Sequence, residues 1–221
     1  MATPKSQRIG IWIIAIVMII GTIGSFAVMV LSSKNSTADQ ARIQKLSAQY
    51  QSDYQAYQKK LDAQTKELSD KYYAQFKAYK SKPSKFDKSD VKSLEKTDLK
   101  TGTGTKLTKK STFTAYYIGW TPDGKTFDSS FDGDKLKAPF KVTPGGVIAG
   151  WNEGADGMKT GGIRELTIPS DKAYGEAGSG DKIPANTPLK FILMVIPTPE
   201  AINEPEVPQE LLEYYQQNSA Q

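Results

Sequence analysis

Residues 9–31, IGIWIIAIVMIIGTIGSFAVMVL, run without a single charge, and no other feature restricts this chain as much. A helix rises ~1.5 Å per residue, so a run of this length reaches across the ~30 Å hydrocarbon core of a bilayer. The expectation is one transmembrane helix behind a short tail, residues 1–8. Ser25-Phe26-Ala27 has the small-x-small form of a signal-peptide cleavage site. The apolar run, however, exceeds the ~7–15 residues of a signal-peptide core and continues past Ala27, which favours a retained span. Lys5 and Arg8 precede it and Lys34, Arg42 and Lys45 follow it, so flanking charge alone leaves the orientation open. A short tail with two cations and the terminal amine resists translocation, whereas a large following domain crosses largely regardless of charge. The expected arrangement is a single-pass protein of the cell membrane, with its N-terminus cytoplasmic and the remainder extracytoplasmic.

Beyond the span, Thr37-Ala38-Asp39-Gln40 has the form of a capping box and Pro83 supplies a stop signal. A helix over about 38–81 is predicted inside a stem of residues 36–82, ~66 Å long if straight. Ile43, Leu46, Tyr50, Tyr54, Tyr57, Leu61, Leu68, Tyr72, Phe76 and Tyr79 recur mostly at threes and fours and form one continuous stripe. A lone helix cannot bury such a stripe, which leaves a coiled-coil dimer, a hairpin or a surface that grips a client. The seam is tyrosine-rich and interrupted at Gln64 and Thr65, so a homodimer through it would be weak. Residues 83–90 read as a linker. Lysines from Lys71 to Lys88 make the base of the following domain positive, most simply a solvated face and less simply an attraction to anionic lipid or cell-wall polymer.

From residue 91 the pattern changes to short alternating segments divided by turns. Strands are predicted at 93–99, 112–120, 140–142, 163–168 and 189–196, with a short helix at 150–158. Strands plus one helix imply an α+β fold, an antiparallel sheet wrapped around that helix. The chain has no cysteine and no histidine, which excludes disulfides, Cys-His and Ser-His-Asp nucleophilic systems and the commonest zinc ligands. Its net charge of +5 is spread among mixed acids and bases, unlike the concentrated basic element of a nucleic-acid binder. After residue 199 the acidic tail, 200–221, carries Glu200, Glu204, Glu206, Glu210 and Glu213 and no cation. It reads as a mobile extension with a helix at 209–217, and a docking of Leu211, Leu212, Tyr214 and Tyr215 onto the stem stripe is the alternative.

The strings YYIGWTPDGKTFDSS (116–130), PFKV (139–142), VIAGWNEGADGMKTGG (147–162), PSDKAYGEAG (169–178) and KIPANTPLKF (182–191) resemble, in order, the successive blocks of FKBP-type peptidyl-prolyl cis/trans isomerases. The resemblance covers about half the chain, and five blocks in register are far more specific than any one short motif. It implies an isomerase domain over 91–199 with a shallow apolar pocket and neither cofactor nor metal. Carried over by position, the catalytic lining is Tyr117, Phe127, Asp128, Ile148, Trp151, Tyr174 and Phe191, and Phe140, Val147 and Ile183 add to substrate binding. Trp151 takes the floor, the Ile148 N–H and the Tyr174 hydroxyl are the donors to substrate carbonyls, and Asp128 is the polar residue nearest the amide. The implied partners are X-Pro-containing polypeptides, with macrolides as inhibitors. The alternative is a non-catalytic membrane-tethered scaffold or holdase that binds Pro-containing segments. Taken singly, each ring in a small β-rich domain is more often core than site, Asp128 is equally suited to capping a turn, and the glycines at 119, 150, 154, 157 and 161 read as backbone requirements. One departure stands out. The segment between Asp128 and Phe140 is about three residues longer than in compact relatives and lacks their arginine, leaving Lys135 and Lys137.

Overall fold

The computed structural model describes residues 37–218. The apolar run at 9–31 lies outside them, and among the described residues no helix is long and apolar enough to cross a membrane. The described chain forms two compact units, one spanning Tyr57–Asn203 and one made of residues 37–56 with 204–218. The boundary falls within a single helix, α1, Thr37–Phe76, which a short 3-10 turn extends to Tyr79.

In the larger unit, β1 (Glu95–Lys100), β2 (Phe113–Trp120), β3 (Thr126–Ser129), β6 (Phe140–Val142), β7 (Ile163–Ile168) and β8 (Leu189–Ile196) make one antiparallel sheet. The order is β1-β7-β8-β2-β3, with β6 beside the first half of β2. A separate hairpin, β4 (Phe131–Asp132) and β5 (Lys135–Leu136), turns through Gly133, whose positive φ of 57° suits glycine. The helix α2, Ala149–Ala155, lies on one sheet face. It comes close because Gly154 has no side chain, and a Cβ there would sit 2.5 Å from Leu166.

The strand β8, LKFILMVI, explains why the sheet needs a second cover. Successive side chains of a strand point to opposite faces. Leu189, Phe191, Leu193 and Val195 join the α2-side core with Trp151, Leu166 and Ile168, while Ile192, Met194 and Ile196 join a second cluster with Tyr116, Ile118 and Trp120. The second half of α1 covers that second face. Phe76 is 0% exposed and stacks on Phe131 with centroids 5.1 Å apart, and Tyr72 and Tyr73 pack beside it. The lower stripe of the stem is therefore buried by its own sheet, a fourth solution beside dimer, hairpin and client surface.

The β4–β5 hairpin accounts for the extra length between Asp128 and Phe140. It presents Phe131 and Leu136 to α1, Leu136 N–H donates to Ser69 Oγ at 2.8 Å, and Lys80 Nζ donates to Gly133 O at 2.7 Å. The expected linker is also pinned, since Trp120 Nε1 donates to Ser84 O at 3.1 Å and Phe86 N–H to Pro122 O at 3.0 Å. On the α2 face, Arg164 is a buried cross-brace. It holds Asp98 of β1 in a two-pronged pair at 2.7 and 3.1 Å and donates to Gly154 O and Asp156 O, the free carbonyls at the end of α2. That guanidinium holds the Asp98 carboxyl below its ordinary range.

In the smaller unit the tail helix α3, Gln209–Asn218, packs against the first half of α1. Arg42 pairs with Glu210, and Leu211 and Tyr50 are 3% and 7% exposed. In the larger unit Gln64 Nε2 donates to Glu200 O at 2.8 Å. The tail is thus docked on the stem stripe and not a free extension, although Leu212 remains exposed.

Candidate active site

Trp151 enters the sheet's inner face from the first turn of α2 and is 4% exposed. Three rings meet it edge to face: Tyr117 from β2 at 5.1 Å, Phe191 from β8 at 5.2 Å and Phe140 from β6 at 6.0 Å between centroids. Phe127 of β3 meets Phe191 the same way at 5.5 Å. Edge-to-face pairs set positive ring edges against negative ring faces, which fixes the orientation of each ring as well as its burial. Phe140 keeps 42% of its surface exposed and forms a lip to this floor. Ile183 is buried against the same core, and Val147 and Ile148 pack at its margin.

Gly119 makes the Phe127–Phe191 contact possible. A Cβ at this point of β2 would lie 2.5 Å from Phe191 and 2.8 Å from Phe127, so only a glycine lets both rings lie over the strand.

Polar groups stand around the apolar floor. Both oxygens of Asp128 are engaged, one accepting from the Tyr117 hydroxyl at 2.5 Å and the other from the Ser129 N–H at 2.8 Å. Asp128 therefore does cap its local backbone, and it also orients the Tyr117 ring. Burial, followed by the Asp128 contact, pushes the Tyr117 hydroxyl far up, so it stays a donor at any physiological pH. Tyr174 is 38% exposed, and burial with the nearby Asp128 charge raises its hydroxyl too. Neither the Tyr174 hydroxyl nor the Ile148 N–H, at the start of α2, has a hydrogen-bond partner among the described residues. The structure thus gathers the ten residues singled out in the sequence, Trp151 among them, in or beside one aromatic cluster, where the Ile148 N–H, the Tyr174 hydroxyl and the buried Trp151 indole N–H have no partner among the described residues. Arg164 and Gly119, which support α2 and the rings, were not singled out as site residues. An arginine on the same strand face as Leu166 and Ile168, in the strand IRELTI, was the available signal for the first.

A different groove, about 400 Å³ in volume, is lined by Lys88, Lys92, Pro169, Ser170 and Asn186. It contains no aromatic ring and none of the residues above.

The family model described as FKBP-type peptidyl-prolyl cis-trans isomerase matches residues 103–196. An FK506-binding protein of Neisseria meningitidis serogroup A is 45% identical over 96 residues, which cover 42% of this chain and 85% of that protein. A probable FK506-binding protein of Corynebacterium glutamicum is 41% identical over 101 residues, covering 45% of this chain and 81% of that one. The crystal structure of a peptidyl-prolyl cis-trans isomerase from Pseudomonas syringae is 33% identical, covers 62% of this chain and 96% of its own, and superposes with a TM-score of 0.43. On these sequence relatives, the chain belongs to the FKBP-type peptidyl-prolyl cis-trans isomerase family. Its enzymatic class is accordingly that of a peptidyl-prolyl cis/trans isomerase.

Two substitutions separate wall from donor. Phe191→Ala removes a ring that is 3% exposed, and a loss of ~3–5 kcal/mol in stability is expected from the deleted core volume. Tyr174→Phe removes one hydroxyl that has no partner among the described residues and should leave the unfolding midpoint nearly unchanged while weakening peptide binding. Chemical denaturation and peptide titration of both variants check this, and equal destabilisation would make Tyr174 a core residue.

Proposed function

We propose that the protein isomerises X-Pro bonds in polypeptide clients by enclosing them over Trp151, and that it assists the folding of exported or membrane-proximal proteins. The observation that carries the reading is the indole ringed by Tyr117, Phe140 and Phe191 beside two uncommitted donors, Ile148 N–H and Tyr174 OH. Rotation about an amide has a barrier of ~18–20 kcal/mol because the planar form is resonance-stabilised. Only rotation is required, so no nucleophile or base is needed, in keeping with a chain that has no histidine or cysteine. The twisted amide has a less polar carbonyl than the planar one, and a pocket that strips water from it favours the twisted form. The proline ring fits the apolar floor, the two donors fix the flanking carbonyls, and Tyr117, held by Asp128, closes one side. Macrolides that present a similar ring and carbonyls would compete for the same surface.

The folding role is tested with a client whose refolding has a slow proline-limited phase, since uncatalysed isomerisation takes tens of seconds or longer. The protein is expected to shorten that phase, and an unchanged phase would remove the folding role. The membrane context rests on the apolar run at 9–31 and its flanking charges. Protease added to intact cells, or to spheroplasts where an outer envelope intervenes, should remove the isomerase domain and spare an N-terminal tag. Protection of the domain until the membrane is breached would reverse the orientation, and a soluble form starting near Val28 would show a cleaved signal peptide.

A further inference from the structure

The strand that carries Phe127 and Asp128, β3, is the last in the sheet order and has β2 as its one neighbour. An edge strand is the part of a sheet least constrained by its ladder. Here two lysines from different loops grip its backbone. Lys182 Nζ donates to Phe127 O at 3.2 Å and Lys137 Nζ donates to Ser129 O at 3.0 Å, so the carbonyls on either side of Asp128 are both taken.

Lys182 immediately precedes Ile183 and shares a loop with Tyr174. That loop holds Gly175, Gly178 and Gly180, all at positive φ, and closes on itself through the reciprocal Ser179–Ile183 bonds and Asn186 N–H to Gly175 O. Those bonds shape the loop without tying it to β3. The Lys182–Phe127 bond supplies that tie, linking the loop of Tyr174 and Ile183 to the strand of Phe127 and Asp128. Lys137 acts from the other loop, where its own N–H also donates to Ser130 O at 2.9 Å.

We propose that Lys182, with Lys137, is a positioning residue that clamps β3 and sets the width of the pocket for the X-Pro segment. The inference rests on the aromatic pocket being the isomerase site. Magnitudes separate it from a merely structural role. Both ammonium groups are exposed, and exposed charged contacts contribute little to global stability, so their loss should not move the unfolding midpoint. Substrate binding is far more sensitive, because small misplacements at a positioned site cost large factors in rate or affinity.

The test uses the full chain and its Lys182→Met, Lys182→Arg and Lys137→Met variants, with an X-Pro peptide as probe. Lys182→Met is expected to raise KM by ~3–10-fold with kcat within ~2-fold, which is the pattern of lost binding common to ground and transition states. Lys182→Arg keeps the donor and should restore KM, Lys137→Met should show a smaller rise, and no variant should shift the midpoint. Amide exchange in residues 175–183 should accelerate in Lys182→Met alone. An unchanged KM in Lys182→Met, or equal loss in the Met and Arg variants, overturns the clamp. If the wild type itself fails to isomerise the peptide, the pocket reading falls, and the amide exchange decides the clamp separately: unchanged rates between wild type and Lys182→Met would refute it.

Discussion

A fragment that begins at residue 91 is expected to lose cooperative folding, while a fragment spanning Tyr57–Asn203 keeps it. The short fragment retains the whole sheet and α2 but lacks the cover of its second face. Tyr116, Ile118, Trp120, Phe131, Leu136, Ile192, Met194 and Ile196, all buried in the intact unit, would then face water. Phe76 alone is a fully buried ring, and deleting one such ring costs ~3–5 kcal/mol. Starting at residue 91 removes Tyr72, Tyr73 and Tyr79 with the helix and Phe86 with the segment after it, against a total domain stability of only ~5–15 kcal/mol. Thermal unfolding followed by near-ultraviolet dichroism and amide dispersion checks this. Phe76→Ala in the longer fragment is the milder form of the experiment and should lower stability by the single-ring amount. A sharp transition and dispersed spectrum for the fragment from residue 91 would show that α1 is an ornament of the fold.

Gly119→Ala is expected to damage the pocket more than any loss of a single polar group. The added Cβ would fall 2.5 Å from Phe191 and 2.8 Å from Phe127. Both contacts are ring atoms, so the rings must move, and Phe191 is held on its other side by Trp151. Overpacking of this kind costs ~1–3 kcal/mol in stability. Rings displaced toward the pocket would occupy the space of the proline. A fall of at least ~10-fold in kcat/KM is expected, equivalent to ~1.4 kcal/mol of lost transition-state stabilisation. The variant should remain folded, as shown by its unfolding midpoint. Activity close to that of the wild type would mean that Phe127 and Phe191 do not bound the substrate.

The strands at 140–142, 163–168 and 189–196 were legible to the residue, because Pro or Gly at or just beyond each end admits no continuation. The short helix was legible in place but not in extent, stopping at Ala155 where residues up to 158 were expected. The tail helix was legible as one cover of the stem stripe, but what the second half of α1 packs against was not. Helical periodicity shows that one face of 37–79 is buried without naming the surface that buries it. The clue lay elsewhere, in the unbroken apolar run FILMVI of β8, since a strand with one wet face would alternate. The extra residues between Asp128 and Phe140 were visible as an anomaly, and their meaning appeared only when Phe131 and Leu136 were found beneath Phe76. The pocket residues came from the family resemblance, since each ring alone is an ordinary core residue. Of the lysines that reach β3, Lys137 showed only as a residue standing where relatives carry an arginine, and Lys182 left no trace, because a side-chain bond to a distant backbone carbonyl has no periodicity.

The proposed function requires that this aromatic enclosure catalyse rotation about X-Pro bonds. The most direct measurement is NMR exchange between the cis and trans forms of an X-Pro peptide with an apolar residue before proline, using the chain from residue 37 to 221 at catalytic concentration. Exchange is expected well above the uncatalysed rate, with peptide-dependent shifts at the Ile148 amide and the Trp151 indole and loss of the effect in the presence of a macrolide. Exchange indistinguishable from the free peptide, from a protein whose spectrum shows it folded, would contradict the proposed function.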